Sequence, residues 1–158
     1  MAWTFLRPGY FMSNVARWAP GIRQHGHVAA PCVDALFAPI APSDIARVAA
    51  AALTERGHEG QAYSLTGREF VSVRQQVATI ARVLGRSIDC LEEGIDASLE
   101  RARRAGQPDW LVVSLERMWW GLASGSGRHR TDAFHDITGE TPQSFEDWCT
   151  GHRSLFEQ

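Results

Sequence analysis

Apolar and polar positions change period several times along the chain. Trp3 to Leu6 is aromatic and β-branched and stops at Pro8-Gly9, the pattern of a strand followed by a turn. From Tyr10 to Trp18 the residues Phe11, Val15 and Trp18 share one helical face, and Pro20-Gly21 is expected to close that helix. His27 to Ala30 and Ala35 to Ile40 read as short strands, kept irregular or at an edge by Pro31, Pro39 and Pro42. The clearest helix is predicted over Ser43 to Arg56. Ser43 is its N-cap, Gly57 its stop, and Ile45, Val48, Ala49, Ala52 and Leu53 its apolar stripe.

Gln61 to Thr66 is the next predicted strand, turned by Thr66-Gly67. Ser72 and Gln75 form a capping box for a helix that ends at Leu84 before Gly85. Ser87 to Leu91 reads as a last short strand. Helices are then expected over Ile95 to Ala105 and Pro108 to Ala123, with Gly125-Ser126-Gly127 as a flexible joint. A helical turn near Thr131 to Ile137 precedes a last helix capped by Ser144 and carrying Phe145, Trp148 and Phe156. Strands and helices alternate early and helices dominate late. The expected class is α/β, helix-rich, with few short strands. Edge strands holding proline need a larger sheet to lie against.

A length of 158 residues favours one domain, divided into a strand-and-helix part (1–92) and a helical cover with the C-terminal helix (93–158). The net charge of −2 leaves no footprint for nucleic acid. No stretch approaches the roughly 20 apolar residues of a membrane span. The apolar start, Met1 to Leu6, is cut short at Arg7-Pro8 and is not expected to act as a signal peptide. A chain that opens on a core strand leads to the expectation of a missing upstream part. Cys32, Cys90 and Cys149 are odd in number and widely spaced, as in a reduced cytoplasmic protein. All 16 basic residues are arginines, so lysine-dependent chemistry is excluded on this chain.

Several segments, in order, resemble NmrA-like proteins of the atypical short-chain dehydrogenase/reductase superfamily. They are Trp3 to Asn14, Ser43-Asp44-Ile45-Ala46 with Ala49 to Leu53, Gly60 to Gly67, Ile80 to Ser87, and Ile137-Thr138-Gly139 through Pro142 to Trp148. The nearest branch resembles the ergot-alkaloid and triphenylmethane reductases. The resemblance implies the C-terminal part of a Rossmann-like doubly wound fold, NAD(P)H as the family's cofactor, and reduction of a small apolar or aromatic substrate. The N-terminal dinucleotide-binding half is expected to be absent, because no Gly-x-x-Gly-x-x-Gly phosphate loop occurs. Gly57 and Gly60 meet Tyr63 at the third position, and Gly125 and Gly127 precede Arg130. The superfamily's Tyr-x-x-x-Lys acid is also missing, with only Tyr10-x-x-x-Asn14 in its place. Weak or no dinucleotide binding by this chain alone follows.

The resemblance places Pro8, Gly9, Tyr10 and Phe11 beside the nicotinamide end of the cofactor. The alternative is a strand-end turn with core aromatics. Met12 and Asn14 would then line a substrate pocket, roofed by Trp119 and Trp120 of the late helix, whose other reading is core packing. No catalytic residue and no metal site are assigned. His25 and His27 lack companion ligands, and no Gly-x-Ser-x-Gly elbow supports a hydrolase. Two further readings stay open. One is a non-catalytic binding or regulatory module, pairing with a separate N-terminal half or with itself. The other is a truncated product without activity.

Overall fold

A computed structural model describes residues 2–157; the start of the apolar run at Met1 lies outside the described residues. Strand β1 (Thr4–Pro8) pairs in parallel with β3 (Gln61–Leu65), from Thr4 opposite Gln61 to Pro8 opposite Leu65. Strand β2 (His27–Ala30) pairs in parallel with β4 (Asp89–Glu92). Among the described residues these make two separate two-stranded sheets.

A 3-10 helix (Met12–Trp18) runs directly into α1 (Ala19–His25). Pro20-Gly21 therefore does not close the helix. Pro20 sits in the first turn of α1, where its missing N–H is not needed, and Gly26, with φ of 66°, ends α1 instead. The strand expected over Ala35 to Ile40 is also absent. Ile40 bridges Phe11 and Phe37 bridges Val71, on different partners, so no ladder propagates.

Helix α2 (Pro42–Thr54) begins after Ala41 with no side-chain cap, so Ser43 lies inside the helix. Its buried face is Asp44, Val48 and Ala51, while Leu53 is 86% exposed. Helix α3 (Val73–Leu84) follows its sequence signals closely. Ser72 and Gln75 form the reciprocal capping box, and Gly85 takes the left-handed conformation at the C-cap. The remaining elements are α4 (Ile95–Arg104), α5 (Asp109–Ala123), α6 (Ala133–Thr138), α7 (Phe145–Gly151) and a closing 3-10 helix (Arg153–Phe156). The Ser144 hydroxyl caps α7 by accepting the Asp147 N–H.

Three apolar clusters hold these elements. The largest joins Met12, Val15 and Ile22 to Val77 and Ile80 of α3 and to Phe145 and Trp148 of α7. Arg86 fastens the same region by donating to the Phe156 carbonyl at 3.0 Å. A second cluster, with Leu65, Val48 and Phe134 buried and Leu6 packed against them, sets α2 and α6 on one face of the β1–β3 sheet. A third packs α4 on α5 through Leu99, Val112 and Trp119.

Among the described residues, the other face of the β1–β3 sheet carries exposed apolar side chains. Trp3 and Phe5 are half exposed there, their rings 4.7 Å apart. Among the described residues the second edge of β1 is unpaired. Parallel sheets are normally covered on both faces, because crossover helices occupy each side.

Candidate functional site

Two cavities lie beneath α5. The one nearest the sheet measures about 460 Å³ and sits at the carboxyl ends of β1 and β3. Ligands in open α/β sheets bind outside those strand ends. The β1 end supplies Gly9 and Tyr10, the β3 end Ser64 and Thr66, and α5 contributes Met118 and Leu122. Asn14 and His129 also line it.

Backbone and hydroxyl bonds fix this mouth. The Gly9 N–H donates to the Leu65 carbonyl at 2.9 Å, so the loop after β1 continues the sheet by one step. Ile40 and the loop then zip together: the Ile40 N–H donates to the Tyr10 carbonyl and the Met12 N–H to the Ile40 carbonyl, both at 2.9 Å. On the far side, the Thr131 N–H donates to the Thr66 hydroxyl at 2.9 Å, and the Thr131 hydroxyl to the Ser64 carbonyl at 2.6 Å. The segment after the glycine joint is thereby pinned over the end of β3.

Tyr10 places a phenol on the wall of this cavity. Its ring lies 4.5 Å from that of Phe37, and its phenol oxygen accepts from the Arg17 guanidinium at 2.9 Å. Burial pushes the phenol pKa above its ordinary value, with Arg17 and Asn14 pulling the other way. The raised pKa keeps the phenol protonated at neutral pH, and because the oxygen accepts from Arg17, its own O–H is not consumed in that bond.

The second cavity, about 550 Å³, lies between the 3-10 helix, β2, α4 and α5. Arg17 and Trp18 line it, as do Arg101 of α4 and Leu115 and Trp119 of α5. Arg17 thus faces one cavity while bonded to Tyr10 of the other.

The residues singled out by sequence divide clearly. Gly9, Tyr10 and Asn14 come together in the cavity at the strand ends, and Trp119 lines the other one. Pro8 ends β1, pairing with Leu65. Phe11 packs against the Ile40–Phe134 cluster. Two expected pocket residues are misplaced. Met12 is fully buried in the main core and Trp120 is 56% exposed, and neither lines these cavities. The reason is helical phase. The 3-10 winding turns Met12 inward beside Val15, and on α5 the buried side passes through Val112 and Trp119, leaving Trp120 outside.

Sequence reading missed Arg17, Thr66, Thr131 and His129. Only Thr66 had a local signal, as the residue ending a strand before a glycine turn. Burial raises the pKa of all three cysteines, Cys149 to about 12, which disfavours their thiolate forms. His25 and His27 stack with ring centroids 5.7 Å apart, and among the described residues no group of His, Cys, Asp and Glu forms a metal cluster. Nor, among the described residues, is any helix long and apolar enough to cross a membrane.

The fold, with its cavity at the strand ends, defines a Rossmann-like α/β protein. Comparisons with known proteins narrow the class. No family model matches the chain. The (4-alkanoyl-5-oxo-2,5-dihydrofuran-3-yl)methyl phosphate reductase of Streptomyces griseus is 40% identical over 154 residues, covering 98% of this chain and 54% of that protein. The NAD(P)H azoreductase of Xenophilus azovorans is 31% identical over 160 residues, covering 99% of this chain and 54% of its own length. In fold, the NADPH complex of quinone oxidoreductase QOR2 from Escherichia coli matches with a TM-score of 0.83 at 23% identity, over 96% of this chain and 53% of that one. The chain belongs to the NmrA-like, atypical short-chain dehydrogenase/reductase proteins. It spans about half the length of the curated relatives it matches.

Proposed function

We propose that this chain is the substrate-side, C-terminal half of an NAD(P)H-dependent reductase acting on a small molecule. The observation that carries this reading is the cavity at the carboxyl ends of parallel β1 and β3, with Gly9, Tyr10, Asn14 and Thr66 on its walls. These residues suit the nicotinamide end of a dinucleotide. Gly9, lacking a side chain, leaves room for a carboxamide, and Phe37 with Met118 gives the ring an apolar wall. NAD(P)H, when bound, supplies a hydride. Tyr10, neutral and with its O–H free, is the group on this chain suited to deliver the matching proton.

The pyrophosphate does not fit here, because no glycine loop opens a helix beside β1. A second segment, covalently continuous or separate, would supply it. The bare face carrying Trp3 and Phe5 and the unpaired edge of β1 favour that arrangement over a self-sufficient binding module.

Calorimetry with NADPH tests the proposal. The chain alone is expected to bind poorly. Co-expression with the uncovered half of the 40%-identical relative is expected to give a complex that co-purifies and binds NADPH. Low-micromolar or tighter binding by the chain alone, or no complex with that half, would overturn the division of labour.

A further inference from the structure

The cavity between β2, α4 and α5 has no part in holding a nicotinamide, yet it is the larger of the two beneath α5. Its walls are mainly apolar, from Val28, Ala102, Leu111, Leu115 and Trp119. Its ionisable side chains are Arg17, His27 and Arg101, with no carboxylate among its lining residues. Arg101 is already neutralised, since its guanidinium clasps Glu93 at 2.6 Å. Arg17 is different. Among the described residues it makes no ion pair, spends one N–H on Tyr10, and lies 5.9 Å from the Trp18 ring centroid. The rest of its fork is available at the wall of this cavity. A planar guanidinium fork matches an oxyanion in two-point fashion.

We infer that this cavity binds the substrate as an amphiphilic oxyanion, a phosphate- or carboxylate-bearing molecule. Arg17 takes the anionic group, and the wall of Leu111, Leu115 and Trp119 takes an aliphatic or aromatic body. The inference rests on the reductase reading and adds the substrate class to it. The neighbouring cavity also carries cations, Arg117 and His129, and no carboxylate among its lining residues. The apolar wall supplies burial at about 25 cal/mol per Å², and Arg17 selects charge.

The test uses the 158-residue chain without NADPH, so it reads this site apart from the nicotinamide reading. Calorimetry is run with monooctyl phosphate, octanoate, 1-octanol and inorganic phosphate, the amphiphiles below their micelle concentrations. Both oxyanion amphiphiles are expected to bind, the tighter one identifying the headgroup, and octanol and inorganic phosphate at least tenfold more weakly. Arg17→Met should weaken the amphiphiles tenfold or more with an unchanged circular dichroism spectrum, and Arg17→Lys should restore part of the loss. Nitrogen-15 NMR should shift the indole signals of Trp18 and Trp119, which line the cavity, and leave that of Trp3 in place. Equal binding of octanol, equal binding of inorganic phosphate, or full affinity in Arg17→Met would overturn the inference. Failure of NADPH to bind the assembled reductase would instead strike the reading it rests on.

Discussion

Arg17 donates to the phenol oxygen of Tyr10 across 2.9 Å, and that bond joins two cavities built from different parts of the fold. Tyr10 follows β1 and Arg17 lies in the 3-10 helix Met12–Trp18. The superfamily's lysine is missing, and an arginine seven residues on now stands beside the phenol.

Removing that cation has a predictable direction. Arg17 pulls the Tyr10 phenol down while burial pushes it up. In a Tyr63→Phe background, which leaves Tyr10 as the only tyrosine, Arg17→Met should move the ultraviolet titration of the phenol to higher pH. Tyr10→Phe should cost about 0.5–1.5 kcal/mol in urea unfolding, the usual net worth of one hydrogen bond. A titration that stays put or moves down would contradict the pairing.

Gln76 is fully buried on α3, and among the described residues neither its amide nitrogen nor its amide oxygen has a partner. An unpaired buried amide costs roughly 1–3 kcal/mol, and an apolar replacement of similar shape removes that penalty. Gln76→Leu should therefore leave the protein equally stable or raise its stability by about 1–2 kcal/mol. A loss of stability in chemical denaturation would mean that the amide is satisfied in solution.

Asp44 is buried at 2% exposure, and its carboxylate accepts the Gln143 N–H at 2.9 Å, tying α2 to the loop before α7. Asp44→Ala should cost about 1–3 kcal/mol by stranding that N–H, whereas Asn retains an acceptor. Burial raises the Asp44 pKa above its ordinary 3.8, against the opposing effects of the Gln143 bond and Arg47. The folded state then holds the proton more tightly than the unfolded state. This carboxyl's contribution is full below pH 3.8 and is lost as pH rises through the raised folded value. Stability measured across that window should decline less in Asp44→Asn than in the natural chain.

Gly67 follows β3 where the backbone passes Pro39. A Cβ there would stand 1.9 Å from the Pro39 carbonyl oxygen, a backbone atom held by the loop that bridges to Phe11. Gly67→Ala should destabilise by at least about 1–3 kcal/mol, as overpacking does when the obstacle is backbone. It should also disturb the nearby Thr66–Thr131 bonds at the cavity mouth. Unchanged thermal unfolding would refute the close approach.

The sequence by itself determined the local stops and starts. Ser72 with Gln75, Gly85 and Ser144 all act through bonds spanning a few residues, so the pattern of residues carries them directly. It also determined the alternation of β1, β3 and their helices, because burial of Thr4, Leu6 and Pro8 follows the two-residue period of a strand. Tertiary structure alone decided the rest. Pro20-Gly21 reads as a stop in isolation, yet packing of Trp18, Ala19 and Ile22 into the main core carries the helix across it. Met12 and Trp120 sit on positions whose inward or outward direction depends on helical phase against a neighbour. The partner of Asp44, the Gln143 N–H, lies 99 residues away and reaches it only through packing. Arg17 has no local motif at all. It becomes a site residue only because β1, the 3-10 helix and α5 bring two cavities to either side of its bond with Tyr10, and that convergence is a property of packing.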